Sequence, residues 1–287
     1  MTNPTVPRRR LGQELIRLRR ASGLLGDQVA SMMEWSSSSK LYKIENGRQG
    51  IQPKELRELL GYYGVEDEAV IAELIGLARQ GKQRAWWAPY VSAVHDSYAT
   101  YVGLESAAVE LRVYEPTTII GLLQTEAYAR SLLEVATQAP EPAVSADTVE
   151  SKIQMRLQRQ ALLTTDKPMR LWVILDEAAV RRRVGSDDVM AEQYRRLILA
   201  ARLPSVKLQI LPFQDTANPA PPTNFTIIEF PDEGDRDVVY VELLTGGIFV
   251  EGDDVRRYNV TYNNLRAAAL SASGSIDLIR AIAAGRR

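Results

Sequence analysis

One stretch of the sequence, WSSSSKLYKIENGRQG at Trp35–Gly50, places hydroxyl groups and cations at the start of a short segment with helical apolar spacing. Four serines come first, Lys40 and Lys43 follow, and Asn46-Gly47 is a typical helix stop. A helix N-terminus has free backbone N–H groups and partial positive charge, so hydroxyls and lysines there suit phosphates and base edges. The block therefore favours contact with nucleic acid, and a solvated turn and helix face is the alternative.

The distribution of charge points to the same kind of partner. Residues 1–60 contain eleven Lys or Arg against six Asp or Glu, whereas the rest of the chain contains 24 against 30. A basic N-terminal part joined to an acidic body predicts that the first part meets a polyanion. Double-stranded DNA is the leading candidate.

The composition excludes several common chemistries. There are no cysteines and the single histidine is His95, which excludes disulfides, thiolate sites, a histidine triad and a two-histidine zinc site. No apolar run approaches the roughly 20 residues that cross a bilayer, and the first residues lack the apolar core of a signal peptide. We expect a cytoplasmic protein without membrane contact, cofactor or metal ion.

The first eighty residues are predicted to form five short helices. The first ends near Gly23, the second begins at an N-cap near Asp27, the fourth has Pro53 in its first turn and the fifth stops at Gly81. In the third, the spacing leaves Ser39, Lys40, Tyr42 and Lys43 on the outside. The inward-facing residues at helical spacing are Leu11, Leu15, Leu18, Val29, Ala30, Met33, Leu41, Ile44, Leu56, Leu59, Leu60 and Tyr63.

This segment resembles the helix-turn-helix of the Xre/Cro repressor family, most closely its actinobacterial, Streptomyces-type members. The resemblance is carried by LGQELIRLRRASGL, WSSSSKLYKIENGR and ELRELLGYYGV, and KIENGR after a short lysine-bearing helix is its most specific part. It implies that residues 36–45 form the recognition helix and its entrance. The chain departs from the family at Leu25-Gly26, where relatives usually carry Ser or Thr and then Gln at a phosphate contact.

Nine side chains are predicted to contact DNA. One recognition helix reads only a few base pairs, so specific binding should require a homodimer on a two-fold site. A basic arm that includes Arg8 could reach a neighbouring minor groove, or it could be a nonspecific tail. The nine are Ser38, Ser39 and Lys40 for base edges, with Ser37 in the same serine run; Tyr42, Lys43 and Arg48 for phosphates; and Arg9 and Arg10 in the arm.

Beyond Gly81 the pattern changes to that of a larger domain. We expect a helix-turn-helix domain at 1–81, a linker at 82–97 whose Trp86-Trp87 pair packs or stacks on bases, and a second domain at 98–287. In the second domain helices mix with the β-rich runs RLWVILDE, VKLQILPF, NFTIIEF, DVVYVELL and GGIFVE. The last two should pair across Thr245-Gly246-Gly247, and YEPTTII should be extended through Ile120. The predicted fold is thus a small all-α domain followed by a larger α/β (α+β) domain with a four- or five-stranded mixed sheet.

The larger domain resembles one of unassigned activity that follows Xre-type units in many Streptomyces-like regulators. The matching stretches include YEPTTIIGLLQTEAYAR, VILDEAAVRRRVG and VVYVELLTGGIFVE. The resemblance implies an antitoxin-like regulator whose C-terminal domain binds a small partner protein encoded by a neighbouring gene.

Two other functions stay open at this point. A ligand-sensing regulator would need a small-molecule pocket, which the aromatic residues Tyr98, Tyr101, Tyr114, Phe225 and Tyr240 could line or could simply fill as core. An enzyme would have to use Asp176 and Glu177 at the end of a strand, but helix capping and an ion pair explain that pair as well. We therefore expect a regulator and not an enzyme.

Overall fold

The structure, a computed structural model, describes residues 6–81, 86–136, 146–213, 220–231 and 235–285. The chain divides into two compact units, each of which has most of its residue contacts within itself. The N-terminal unit consists of Met1–Pro89 and Ala99–Ala107, and the C-terminal unit consists of Tyr90–Tyr98 and Ala108–Arg287. Of the expected linker, 82–85 lie outside the described residues and Ala88–Ala93 form a 3-10 helix.

Five helices build the first part of the N-terminal unit. Their bounds are α1 Val6–Ala21, α2 Gly26–Met32, α3 Ser39–Glu45, α4 Pro53–Tyr62 and α5 Glu68–Gln80. The residues predicted to face inward from their spacing form one core, in which Leu18 is the member that stays partly exposed. The predicted N-cap at Asp27 is wrong. Gln28 accepts a hydrogen bond from the Leu25 backbone N–H at 2.8 Å, and this contact starts α2 earlier, with Leu25 as N-cap.

The predicted basic arm is helical. Since α1 already begins at Val6, residues Arg8, Arg9 and Arg10 occupy its first turns. The stem of Arg8 lies over Gly81, where an added Cβ would stand 2.7 Å from Arg8 Cγ. Burial lowers the pKa of the Arg8 guanidinium. The arginine run is therefore part of a helix that packs against α5, and its contact with a minor groove stays a prediction.

Glu34 lies in the turn between α2 and α3 and adopts a φ of 53°, a left-handed conformation that costs a residue with a Cβ about 1 kcal/mol. Its side chain is exposed, so the chain gains no packing there in return. We expect Glu34→Gly to raise the free energy of unfolding by about 0.5–1 kcal/mol, as measured by urea denaturation. Glu34→Ala, which keeps the Cβ, should bring no such gain, and equal effects of the two variants would contradict this explanation.

The C-terminal unit contains a six-stranded mixed sheet in the order β3-β2-β1-β4-β5-β6. Parallel pairs join β1 to β2 and β2 to β3, and the other neighbours are antiparallel. The strands are β1 Glu110–Glu115, β2 Arg170–Asp176, β3 Val206–Leu211, β4 Phe225–Glu229, β5 Val238–Leu243 and β6 Gly246–Val250.

The fold class predicted from the sequence is confirmed, but its strand count is not. Six strands replace the expected four or five because ELRVYE, which is not among the predicted β-rich runs, forms β1. The charged Arg112 forms an ion pair through Nη2 with Asp237, just before β5, at 3.3 Å, while its buried Nε has no hydrogen-bond partner. The predicted hairpin of β5 and β6 is present, although its turn residues are Leu244 and Thr245 and β6 begins at Gly246.

Helices cover the sheet and connect its parallel strands. Tyr262 and Leu265 pack one of them, α11, against a core that includes Tyr114 and Phe225 on the strands. In the two crossovers between parallel strands, α7 contacts both α8 and α10. The helices from the unit boundary onward are α6 Asp96–Glu105, α7 Glu126–Ala136, α8 Ala146–Arg159, α9 Glu177–Arg181, α10 Asp187–Ala200, α11 Val255–Ala268 and α12 Ala272–Ala283.

Glutamines fix the GLLQT turn that precedes α7. Gln193, which is fully buried on α10, donates to the Leu123 carbonyl at 2.8 Å and accepts from the Thr125 N–H at 2.7 Å. Gln160, just after α8, donates to the carbonyls of Gly121 and Gln124. Because buried backbone groups need partners, these bonds hold α8 and α10 to the turn.

Candidate DNA-binding surface and C-terminal pocket

The outer face of α3 carries three of the predicted contact residues. Ser39, Tyr42 and Lys43 are exposed, while Leu41 and Ile44 are buried in the core. This division is the one that the i, i+3 spacing of Leu41 and Ile44 predicts. Lys43 and Tyr42 thus project a cation and a phenol from a helix whose inner side is fixed.

Two contacts fix α3 against α1. Glu45, at 4% exposure, accepts hydrogen bonds from Arg19 Nε at 2.6 Å and from Arg19 Nη2 at 3.0 Å. These bonds raise the pKa of the Arg19 guanidinium above its usual value. Gly12 lies so close to the end of α3 that an added Cβ would stand 2.1 Å from the Glu45 carbonyl oxygen. The position of α3 is therefore set by a side-chain pair and by backbone contact.

Lys40 is engaged within the unit. Its ammonium forms an ion pair with Glu55 and lies 4.5 Å from the ring centroid of Trp35. Trp35 Nε1 donates to the same carboxylate at 3.0 Å. A base contact by Lys40, which stays a prediction, would require its ammonium to leave this cluster.

Tyr42 reaches from α3 to the start of α2. A Cβ on Gly26 would lie 2.5 Å from the Tyr42 hydroxyl oxygen, so the glycine makes room for the phenol. This contact involves the position at which the sequence departs from the Xre pattern. The neighbouring Leu25 is 67% exposed, and sequence analysis did not identify it as part of this surface.

The other predicted DNA contacts flank α3 or lie apart from it in sequence. Ser37 is exposed in the turn, and Ser38 precedes the helix without forming a side-chain cap hydrogen bond. Arg48 is exposed directly after Gly47, whose φ of 69° ends the helix as predicted. Arg9 and Arg10 are half-buried on α1. One continuous segment, 37–48, therefore presents seven of the nine predicted residues.

The carboxylates of Asp176 and Glu177 have structural partners. Asp176 caps α9 by accepting from the Ala178 N–H at 2.8 Å. Glu177 accepts from Arg181 Nε at 2.6 Å and from the Phe213 N–H at 2.9 Å. Asp176 thus caps a helix and Glu177 forms an ion pair, which are the structural roles given above as the alternative to an active site.

A pocket of about 530 Å³ lies in the C-terminal unit. Of the aromatic residues considered for a pocket, Tyr98 and the buried Tyr240 line it, Phe225 lines a separate pocket, and Tyr101 and Tyr114 are buried without lining it. The lining also contains Lys152 and Arg156 of α8, which sequence analysis did not select although their i, i+4 spacing was visible. In the described ranges no group of three or more His, Asp or Glu could hold a metal ion.

A short second helix, a tight turn and a third helix with polar and cationic outer residues define a helix-turn-helix DNA-binding domain. Residues 10–74 match the family described as a helix-turn-helix domain, and residues 98–281 match the domain of unknown function DUF5753. Since the second match covers more than half of the chain, the protein belongs to the DUF5753 family. No curated protein and no solved structure matches it significantly. Among the described helices, none has the length and apolar character to span a membrane.

Proposed function

We propose that this protein is an antitoxin-like, sequence-specific transcriptional regulator that binds double-stranded DNA as a homodimer. The helix-turn-helix domain supports the DNA-binding regulator. The outer face of α3 carries the proposal of sequence readout, because Ser39, Tyr42 and Lys43 project from a helix that Glu45 and Gly12 hold in place. A helix of seven residues contacts few base pairs, and a second copy on a half-site about one helical turn away supplies the missing specificity.

A phosphate contact by Lys43 can be tested by salt dependence. We expect Lys43→Ala to weaken binding to all DNA sequences similarly and to reduce the slope of log K against log salt by about one unit. Fluorescence anisotropy at several salt concentrations measures this slope. Lys167→Ala, which removes an exposed lysine from the C-terminal unit, is the matched control. Loss of preference at one base position, with an unchanged slope, would instead place Lys43 among the base-reading residues.

For the C-terminal domain we propose binding of a small partner protein, encoded by a neighbouring gene, at the outer edge of β6. Within the described residues β6 pairs with β5 alone, whereas at the opposite edge Leu270 N–H and Ser275 Oγ bond to Ile210 of β3. Leu244 in the hairpin turn and Ile248 on β6 are exposed apolar residues. An open strand edge beside apolar side chains suits the addition of a strand from the partner.

The β6 edge can be tested by co-purification with the product of the adjacent gene. We expect Ile248→Asp to weaken complex formation by at least about tenfold, because an apolar contact at the centre of the edge is lost. Val260→Asp, at an exposed apolar position on α11, is the control and should leave the complex intact. Equal affinity of Ile248→Asp and the unchanged protein would exclude this edge.

A second candidate function is ligand sensing through the pocket at α8. The observation that favours it is the pair of cations, Lys152 and Arg156, in a concave site of the size that small molecules occupy.

A further inference from the structure

The pocket of the C-terminal unit is built from several elements. It is lined by the β5–β6 hairpin through Tyr240 and Glu242, by α8 through Lys152 and Arg156, by α7, and by the segment that leads into α6. Its volume of about 530 Å³ falls within the range of sites for small organic molecules. When a ligand fills such a site and excludes water, the polar groups of the lining need hydrogen-bond or charge partners.

The two cations of α8 lack hydrogen-bonded partners. Arg156 Nη1 is a buried nitrogen without a hydrogen bond, and in the part of the chain that the structure describes neither Arg156 nor Lys152 forms a close ion pair, although Arg156 interacts electrostatically with the Glu242 carboxylate. Burial and the charge of Arg156 lower the pKa of Lys152. Like charges one helical turn apart repel each other, and a buried donor without an acceptor is destabilising. An anion between the two side chains would remove both costs.

The remaining lining residues indicate which anion fits. Glu242 is the one carboxylate among them; burial raises its pKa, and the charges of Arg156 and Arg159 oppose that rise. With Glu242 ionised and His95 counted as neutral, Lys152 and Arg156 give the lining a formal charge of +1. His95 Nδ1 lies 2.8 Å from Ser97 Oγ. Arg159 does not line the pocket and donates a hydrogen bond to the hydroxyl of Tyr98, which does. A singly charged group matches this balance better than a phosphate dianion, which Glu242 would repel.

We propose that this pocket binds a small organic monocarboxylate, with its carboxylate between Arg156 and Lys152 and its apolar body against Tyr98 and Leu133. This inference gives the ligand class of the second candidate function and does not depend on DNA binding. Leu133, Val94 and Leu243 provide apolar surface around the cations. The ligand would thus be held by charge at one end and by burial of apolar area at the other.

Calorimetric titration of the full-length protein with 3-phenylpropionate and octanoate, their amides, and phenyl phosphate tests the proposal. We expect at least one of the two carboxylates to bind and its matched amide not to bind. Arg156→Gln should weaken that binding by at least about tenfold, whereas Arg130→Gln, on the exposed side of α7, should not. Equal binding of acid and amide, preference for phenyl phosphate, unchanged affinity of Arg156→Gln, or no binding of either acid would overturn the proposal.

The stability of the empty pocket gives a second test. If Arg156 serves a ligand, Arg156→Gln without ligand should keep the melting temperature or raise it, since the repulsion of Lys152 is relieved. A fall of more than about 4 °C would assign Arg156 a structural role and contradict the inference. DNA binding by the same samples, measured by anisotropy, separates failure of the ligand site from failure of the regulator function.

Discussion

Gly12→Ala should unfold the helix-turn-helix domain or abolish its DNA binding. The new Cβ would lie 2.1 Å from the Glu45 carbonyl oxygen and 2.7 Å from its carbonyl carbon, which are backbone atoms at the end of α3. No side-chain rotation relieves such a clash, so α1 and α3 must move apart and the core between them must open. We expect a loss of about 3 kcal/mol or more in the free energy of unfolding, measured by urea denaturation.

Gly61→Ala is the matched control for this substitution. Gly61 is also a helical glycine of the N-terminal unit, but no atom lies within 4 Å of the Cβ that it would gain. Alanine is the better helix former by about 1 kcal/mol, so Gly61→Ala should stabilise the domain and leave DNA binding unchanged. If Gly12→Ala were as stable as the unchanged protein, the close packing of α1 on α3 would be wrong.

Glu45→Ala should be the second most damaging substitution. It would leave Arg19, whose side chain is 14% exposed, without the carboxylate that accepts two of its hydrogen bonds. Removal of one partner of a buried pair leaves an uncompensated charge, and we expect a loss of about 3 kcal/mol in the free energy of unfolding. Thermal and urea denaturation measure this loss, and affinity for DNA should fall with it because α3 loses its attachment to α1.

The exposed pair of Arg57 and Glu68 provides the control for Glu45. Both side chains are more than half exposed, so Glu68→Ala should change stability little. The double variant Arg19→Met with Glu45→Leu should recover much of the stability lost in Glu45→Ala, because an apolar pair leaves no charge buried. If Glu45→Ala were no more harmful than Glu68→Ala, the pair would not fix α3.

The spacing of apolar and turn residues in the sequence correctly predicted those features that depend on interactions between near neighbours. The inward face of Leu41 and Ile44, the stop at Gly47 and the hairpin of β5 and β6 each depend on residues that are neighbours in the sequence. The sequence therefore contained enough information for the five N-terminal helices and for the exposed face of α3.

Contacts between distant residues could not be predicted in the same way. Lys40 is held by Glu55, fifteen residues away, and no pattern in the serine-rich block reveals that partner. Strand β1 contains Arg112, and a charged residue is not expected in a central strand when the sequence alone is considered. Its partner Asp237 follows β4 in the sequence, more than a hundred residues later. The cations Lys152 and Arg156 belong to a basic helix in the sequence, and only the fold places residues of the β5–β6 hairpin beside them in one pocket.

Selection of binding sites from a random pool of double-stranded DNA by the full-length protein tests the central claim most directly. We predict enrichment of a two-fold symmetric site whose half-sites lie about one helical turn apart, with relaxed preference at one position of each half-site for Ser39→Ala. A pool that stays random through successive rounds, while the protein remains folded, would contradict sequence-specific recognition by α3.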